Sequence, residues 1–170
     1  LAISKNLDTI EEKHLITPFN AKSMSLFPEK INGKIAALLS VNTDQPPSTI
    51  ALATFDEEKE LWSKEHWENW HNDLPTHALD LHKEEGDHVE IGAPPIKTKH
   101  GWLLVYSHIY KYGTPEQTFA IEDVLLDLKH PQKILGRTSE PLLVPQEEYE
   151  RYGMIPNIVF PSGAYTEKDT

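Results

Sequence analysis

One kind of hairpin recurs along this chain at almost even intervals, and that recurrence limits the folds open to it. Its clearest copy is Ile91-Gly92-Ala93-Pro94-Pro95-Ile96-Lys97, followed by Gly101-Trp102-Leu103-Leu104-Val105-Tyr106. The pattern reads as two apolar strands joined by a tight turn containing glycine. Proline has no N–H to give to a ladder, so the first of these strands is an edge or an innermost strand. A related pattern runs from Phe27-Pro28 through Asn32-Gly33 to Leu39, and another stands at Val159-Phe160-Pro161-Ser162-Gly163-Ala164. Pro28, Pro95 and Pro161 lie about 67 and about 66 residues apart, longer than common propeller repeats yet nearly constant. Such spacing predicts an all-β ring of blades.

Strand candidates dominate the remainder. The segments 10–16, 24–31, 34–41, 49–55, 89–97, 102–109, 118–128 and 157–161 are rich in branched or aromatic residues and bounded by turn chemistry. Asn32-Gly33 is a strong hairpin signal, and Lys99-His100-Gly101 serves the equivalent bend one blade later. Residues 56–85 are the exception, being charged, tryptophan-bearing and poor in branched side chains. Glu57-Glu58-Lys59-Glu60 favours a short helix there and Pro75 ends one. Pro131, Pro141 and Pro145 punctuate a second connector, and no low-complexity linker divides the chain.

The 170 residues carry a net charge of −11, with 27 acidic against 16 basic side chains. Phosphate backbones are repelled by such a chain, which argues against nucleic acid as a partner. No apolar run approaches the length of a membrane span, so no membrane partner is expected. The absence of cysteine excludes disulfide frameworks, thiolate metal sites and thiol nucleophiles, and points towards the cytoplasm. Leu1 in place of an initiator methionine, a strand-like Leu1–Ser4 and a turn-like 165–170 lead to the expectation of an excerpt truncated at both ends. Residues 1–170 are accordingly read as a single partial domain.

Several polar residues invite chemistry. Trp62, His66, Trp67, Trp70, His71, His77 and His82 cluster in the charged excursion, yet the histidines lack an i, i+4 ligand pair. The expected roles are tryptophans plugging a seam between blades and solvated histidines, with no metal. His88-Val89-Glu90 leads directly into the central hairpin, and Tyr106-Ser107-His108 ends the next strand. On an innermost strand such polar groups face a central pocket, because their burial elsewhere is costly, or else His88 and Glu90 pair with neighbouring backbone or charge. Glu29 and Lys30 alternate across a strand after Pro28, so that one points inward. Gln146-Glu147-Glu148-Tyr149-Glu150 reads as a solvated loop face. Ser162 lacks the histidine and acid that a serine nucleophile needs.

The segments LFPEKINGK (26–34), IGAPPIKTKHGWLLVYS (91–107), LLDLKHPQKILGRTSEPLLVP (125–145) and IPNIVFPSGA (155–164) together resemble glycoside hydrolase family 130. This is a family of five-bladed β-propellers acting on β-mannosides, comprising inverting phosphorylases and some hydrolases. The resemblance runs in order over nearly the whole chain and implies about half of a ring. It also implies that the catalytic aspartate of a Glu-Asp-Pro-Arg motif lies upstream of Leu1, and that a Tyr-Tyr-Gly-Ala-Ala-Asp strand follows Thr170. The chain alone is therefore expected to be inactive.

Matched by motif, the family's phosphate-binding set falls on Lys22, Ser40, His88 and Ser107, with His108 adjacent. Two of these four positions keep a basic side chain and two have lost it. Phosphate carries about −1.5 to −2 charges at neutral pH and favours several charge-assisted donors. The losses, with Glu90 nearby, favour water as nucleophile and Glu90 as its base, since inversion needs only a nucleophile opposite the acid. Phosphorolysis through Lys22, His88 and His108 is the alternative reading, and a non-catalytic sugar-binding propeller a third. Glu29, Lys97, Tyr106 and Asn157 are candidates for sugar-hydroxyl contacts. No cofactor is required. The expected partners are a mannoside or oligosaccharide and, on the alternative, inorganic phosphate, with homo-oligomerisation left open.

Overall fold

In the computed structural model, which describes residues 1–167, the Asn32-Gly33 dipeptide turns the chain as its sequence predicts. Both residues take positive φ, 51° and 83°, as a type I′ turn demands. The main chains of Ile31 and Lys34 exchange hydrogen bonds of 2.9 and 3.0 Å across it. The hairpin heads an antiparallel sheet in the order β3 (Ala21–Leu26), β4 (Ile35–Val41), β5 (Thr49–Phe55). Before it, β1 (Ala2–Ile3) and β2 (Glu12–Lys13) form a two-residue ribbon, far shorter than the strands expected at the start and at 10–16.

The run Ile35–Val41 is buried almost throughout because both faces of β4 are covered. Ala36 and Leu38 enter one core cluster and Ala37, Leu39 and Val41 another. The charged excursion covers the second face with a 3-10 turn (Glu58–Trp62), α1 (Lys64–Asn72) and α2 (Leu74–His77). Ser63 caps α1, its hydroxyl accepting the His66 N–H at 3.2 Å. Trp67 and Trp70, three residues apart, present one face to the sheet. Their indole N–H groups donate to Leu61 O and Leu52 O at 2.8 and 3.0 Å. These tryptophans lie on the face of the first sheet turned away from the second. The histidines expected to be solvated are half-buried ring partners: His66 on Phe55, His71 on Phe19 and His77 on Trp70.

The second sheet contains β6 (His88–Ile91), β7 (Ile96–Lys97), β8 (Trp102–Tyr110), β9 (Thr118–Leu126) and β10 (Ile134–Arg137). The single strand expected over 89–97 is two. Pro94 and Pro95 interrupt it, and β6 and β7 pair in turn with the same edge of β8. The hairpin closes at Thr98–Gly101, where the Thr98 N–H donates to Gly101 O at 2.9 Å. The third copy of the pattern is not a strand. Residues 157–161 form a lone parallel bridge, Phe119 to Ile158, and then pass over Gly92. A Cβ at Gly92 would stand 2.1 Å from the Pro161 carbonyl oxygen, so this close approach needs glycine. The acidic stretch read as a loop carries the one-turn α3 (Glu148–Arg151). Residues 168–170 of the expected terminal turn lie outside the described part.

The described residues thus form open antiparallel sheets with a helical insert rather than a closed ring. The two larger sheets pack through one apolar seam, with Leu38, Ile50 and Leu52 facing Val89, Ile91, Leu104, Tyr106, Val124 and Leu126. Leu79 and Leu81 from the connector fill it. Two serines fasten the seam at the free edge of β6. Ser40 Oγ accepts the Ile91 N–H at 2.8 Å. Ser48 Oγ accepts the Val89 N–H at 3.2 Å and donates to Val89 O at 2.9 Å. Replacing Ser40 or Ser48 with alanine leaves a buried main-chain group unanswered, and each is expected to cost about 1–3 kcal/mol in urea unfolding. Conversion to threonine at Ser48, which keeps the hydroxyl, is expected to cost less.

Candidate functional site

The site forms where the first strand of one sheet meets the first strand of the next. In β3 the register shifts between Lys22 and Ser25, with Ser23 at φ 55°. A bulge of this kind re-aims the neighbouring side chain. Lys22 Nζ stands 3.2 Å from Glu90 Oε1 on β6. The lysine side chain is 50% exposed and the glutamate 12%, so the pair sits at the mouth of the seam.

The β6–β8 register sets what surrounds it. His88 lies opposite Ile109 and Glu90 opposite Ser107, which places His88, Glu90 and Ser107 on one face of the second sheet. His88 is fully buried, and its Nδ1 accepts the Ser48 N–H at 2.6 Å. A ring nitrogen that accepts cannot also carry a proton, so the imidazole is neutral with its hydrogen on Nε2. Burial first, then the nearby charges of His82 and Lys22, pushes its pKa down to about 4. Among the described residues, His88 Nε2 and the buried Ser107 Oγ have no hydrogen-bond partner.

Other sequence candidates lie elsewhere. Ser40 is fully buried with its hydroxyl committed to β6, which takes it away from any ligand. Tyr106 and His108 alternate onto the opposite face, inside the seam. There Tyr106 Oη donates to Glu122 at 3.4 Å, and His108 Nε2 contacts Asp87 Oδ2 at 2.8 Å. Glu29 and Lys97 pair with each other beside Trp102, about 17 Å along β8 from Ser107. Asn157 lies at the outer edge of the sheet, its carbonyl accepting the Phe119 N–H at 2.8 Å. The ring of sequence candidates therefore resolves into one cluster of Lys22, His88, Glu90 and Ser107.

The sequence reading missed a second polar group, centred on Glu122. This carboxylate is 1% exposed and receives Lys83 Nζ at 2.8 Å together with the hydroxyls of Tyr106 and Tyr110. His108 Nδ1 stands 3.8 Å away. Burial, reinforced by Glu122, raises both tyrosine pKa values above their usual range. The signal was present in β9, where Glu122 alternates with Ala120, Val124 and Leu126 on the core face. An acid in that phase must find a cation. Among the described residues no group of three or more His, Asp or Glu is placed to hold a metal ion, and no helix is long and apolar enough to cross a membrane.

The chain belongs to glycoside hydrolase family 130: the family model described as beta-1,4-mannooligosaccharide phosphorylase matches residues 2–170. It is similar to the 1,2-beta-oligomannan phosphorylase of Thermoanaerobacter sp. (strain X514), 38% identical over all of this chain and 51% of that protein. It is 32% identical to the Beta-1,2-mannobiose phosphorylase of Listeria innocua, again over all of this chain and 44% of the relative. The structure of the Listeria innocua enzyme in complex with beta-1,2-mannobiose superposes with a TM-score of 0.75 at 30% identity, over 98% of this chain and 44% of that one. The chain spans about half the length of the curated relatives it matches.

The buried neutral His88 generates a pH dependence. With its pKa near 4 folded and about 6.5 unfolded, the unfolded chain binds more protons between those values. Stability is then fully present above about pH 6.5 and falls as the pH drops towards 4, by up to ~3 kcal/mol. Chemical denaturation from pH 7 to pH 4.5 is expected to show this acid limb. His88→Asn, which keeps an acceptor towards Ser48, is expected to flatten it.

Proposed function

We propose that the protein cleaves β-mannosides with inversion by hydrolysis, this chain supplying the nucleophile side of the site. One observation carries the reading: Lys22, onto which the resemblance places part of the phosphate set, forms an ion pair with Glu90. Of the four positions onto which the phosphate set falls, Ser40 and Ser107 are uncharged. His88 is held neutral by the Ser48 N–H, and Lys22 is already matched by Glu90. An anion of about −1.5 to −2 charges would meet a carboxylate and no unmatched cation. Water meets neither obstacle.

In this mechanism Glu90 accepts a proton from water as the water oxygen attacks the anomeric carbon. An acid outside residues 1–170 protonates the leaving glycosidic oxygen while the carbon–oxygen bond breaks, and the configuration inverts. Lys22 holds the Glu90 carboxylate in place. His88 Nε2–H and Ser107 Oγ, which lack partners among the described residues, provide a donor and a hydroxyl towards the incoming oxygen. No cofactor takes part in these steps.

A second reading, phosphorolysis, is favoured by the names of the relatives, both of which are phosphorylases at 38% and 32% identity. Lys22 would then release Glu90 to bind phosphate. Incubating the full-length protein with beta-1,2-mannobiose, with and without inorganic phosphate, separates the two. Release of mannose without phosphate supports hydrolysis, and a strict phosphate requirement supports the alternative. For hydrolysis, Glu90→Gln is expected to lower kcat by about 10²–10⁴-fold with KM little changed. Undiminished turnover in that variant would remove Glu90 from the mechanism.

A further inference from the structure

The unpartnered His88 Nε2–H has a neighbour that is not an oxygen. The rings of Tyr112 and His88 pack with centroids 3.8 Å apart and planes at 76°. The packed ring shields the imidazole without supplying the oxygen that a buried N–H seeks. Tyr112 is half-buried and belongs to the 111–117 loop that joins β8 to β9.

That loop is a tight turn rooted on β8. Tyr110 fixes its root, donating to Glu122 and stacking on His108 at 4.3 Å. Lys111 and Gly113, on either side of Tyr112, have φ of 50° and 75°; for the lysine this is a strained conformation. Beyond them the loop is tied to itself. Thr114 N donates to Lys111 O and Gln117 N to Thr114 O, each at 3.1 Å. Gly113 N donates to Gln117 Oε1 at 2.8 Å, and Lys111 pairs with Glu116.

We propose that Tyr112 controls access to the Glu90 site, covering the His88 Nε2–H donor and giving it up to an oxygen of the sugar or of the attacking water. The exchange of a packed ring for an oxygen drives the movement. Tyr112 competes with the ligand, and the apparent affinity is lowered by the fraction of covered protein. The inference rests on the reading of this mouth as a sugar-cleaving site, and it names a residue outside the set that the family resemblance implies.

The test uses the full-length protein with Tyr112→Phe and Tyr112→Ala. Phenylalanine keeps the ring and is expected to leave both readouts as in the parent. Alanine removes the cover. KM for beta-1,2-mannobiose is then expected to fall at least threefold with kcat within twofold. In NMR titrations without sugar, His88 is expected to titrate at least one pH unit above its starting point near 4. Its other charged neighbours, His82, Lys22 and Asp87, stay in place. A loss of packing alone would raise KM or lower kcat, and either result overturns the proposal, as does an unmoved His88 titration. Tyr112→Leu serves the same comparison if the alanine variant fails to fold. Should the parent cleave no mannoside, the functional reading fails while the His88 titration still judges the cover.

Discussion

A strand at the edge of a sheet carries a row of unanswered N–H and C=O groups, and in this chain two serine hydroxyls answer those of β6. Ser40 lies in the first sheet and Ser48 just before its β5, whereas Val89 and Ile91 belong to the second. Apolar packing across the seam is non-directional and would allow the sheets to slide. Hydrogen bonds from side chains at fixed positions on β4 and before β5 do not. They set the height of β6 against the first sheet, and with it the distance from Lys22 to Glu90. Ser48 extends the same fastening to His88 through its own N–H, so that one residue aligns the strand and selects the imidazole tautomer.

The period of two along a strand then divides the polar residues of β6 and β8 between two environments. His88, Glu90 and Ser107 look towards the mouth, while Tyr106 and His108 look into the seam. Inside the seam Glu122 gathers Lys83 and the two tyrosines. A buried carboxylate with that many donors holds its partners firmly. This is why Tyr110 is a fixed root for the loop that carries Tyr112. The two polar groups share strands but no hydrogen bonds, one serving the ligand side and the other the packing of the sheets.

Much of this was legible in the sequence, for reasons that differ by element. The Asn32-Gly33 turn, the fully apolar β4 and the Gly101–Tyr106 strand follow from local chemistry that tertiary context reinforces. Lys22 and His88 came from matched motifs and Glu90 from its place beside them; Lys22 reaches Glu90 from the irregular stretch of β3. Other features depended on partners distant in sequence. Pro94 and Pro95 signalled an edge, but only the unbroken β8 allows β6 and β7 to share it. Ser40 was read by its place in a motif, when its hydroxyl answers a main-chain N–H 51 residues away. Tyr106 and His108 were taken for ligand contacts because strand phase was not traced through β8. Glu122 was overlooked although the same phase places it among alanine, valine and leucine. The stacked histidines of the helical insert were unreadable, because their rings answer to Phe19, Phe55 and Trp70 and not to each other.

The passage of Pro161 over Gly92 has a consequence for how the molecule assembles. It joins segments about 70 residues apart, and contacts of that span form late because the intervening chain must first be ordered. The missing side chain at position 92 acts as a keyhole, open until the first two sheets have met and then closed by the strap.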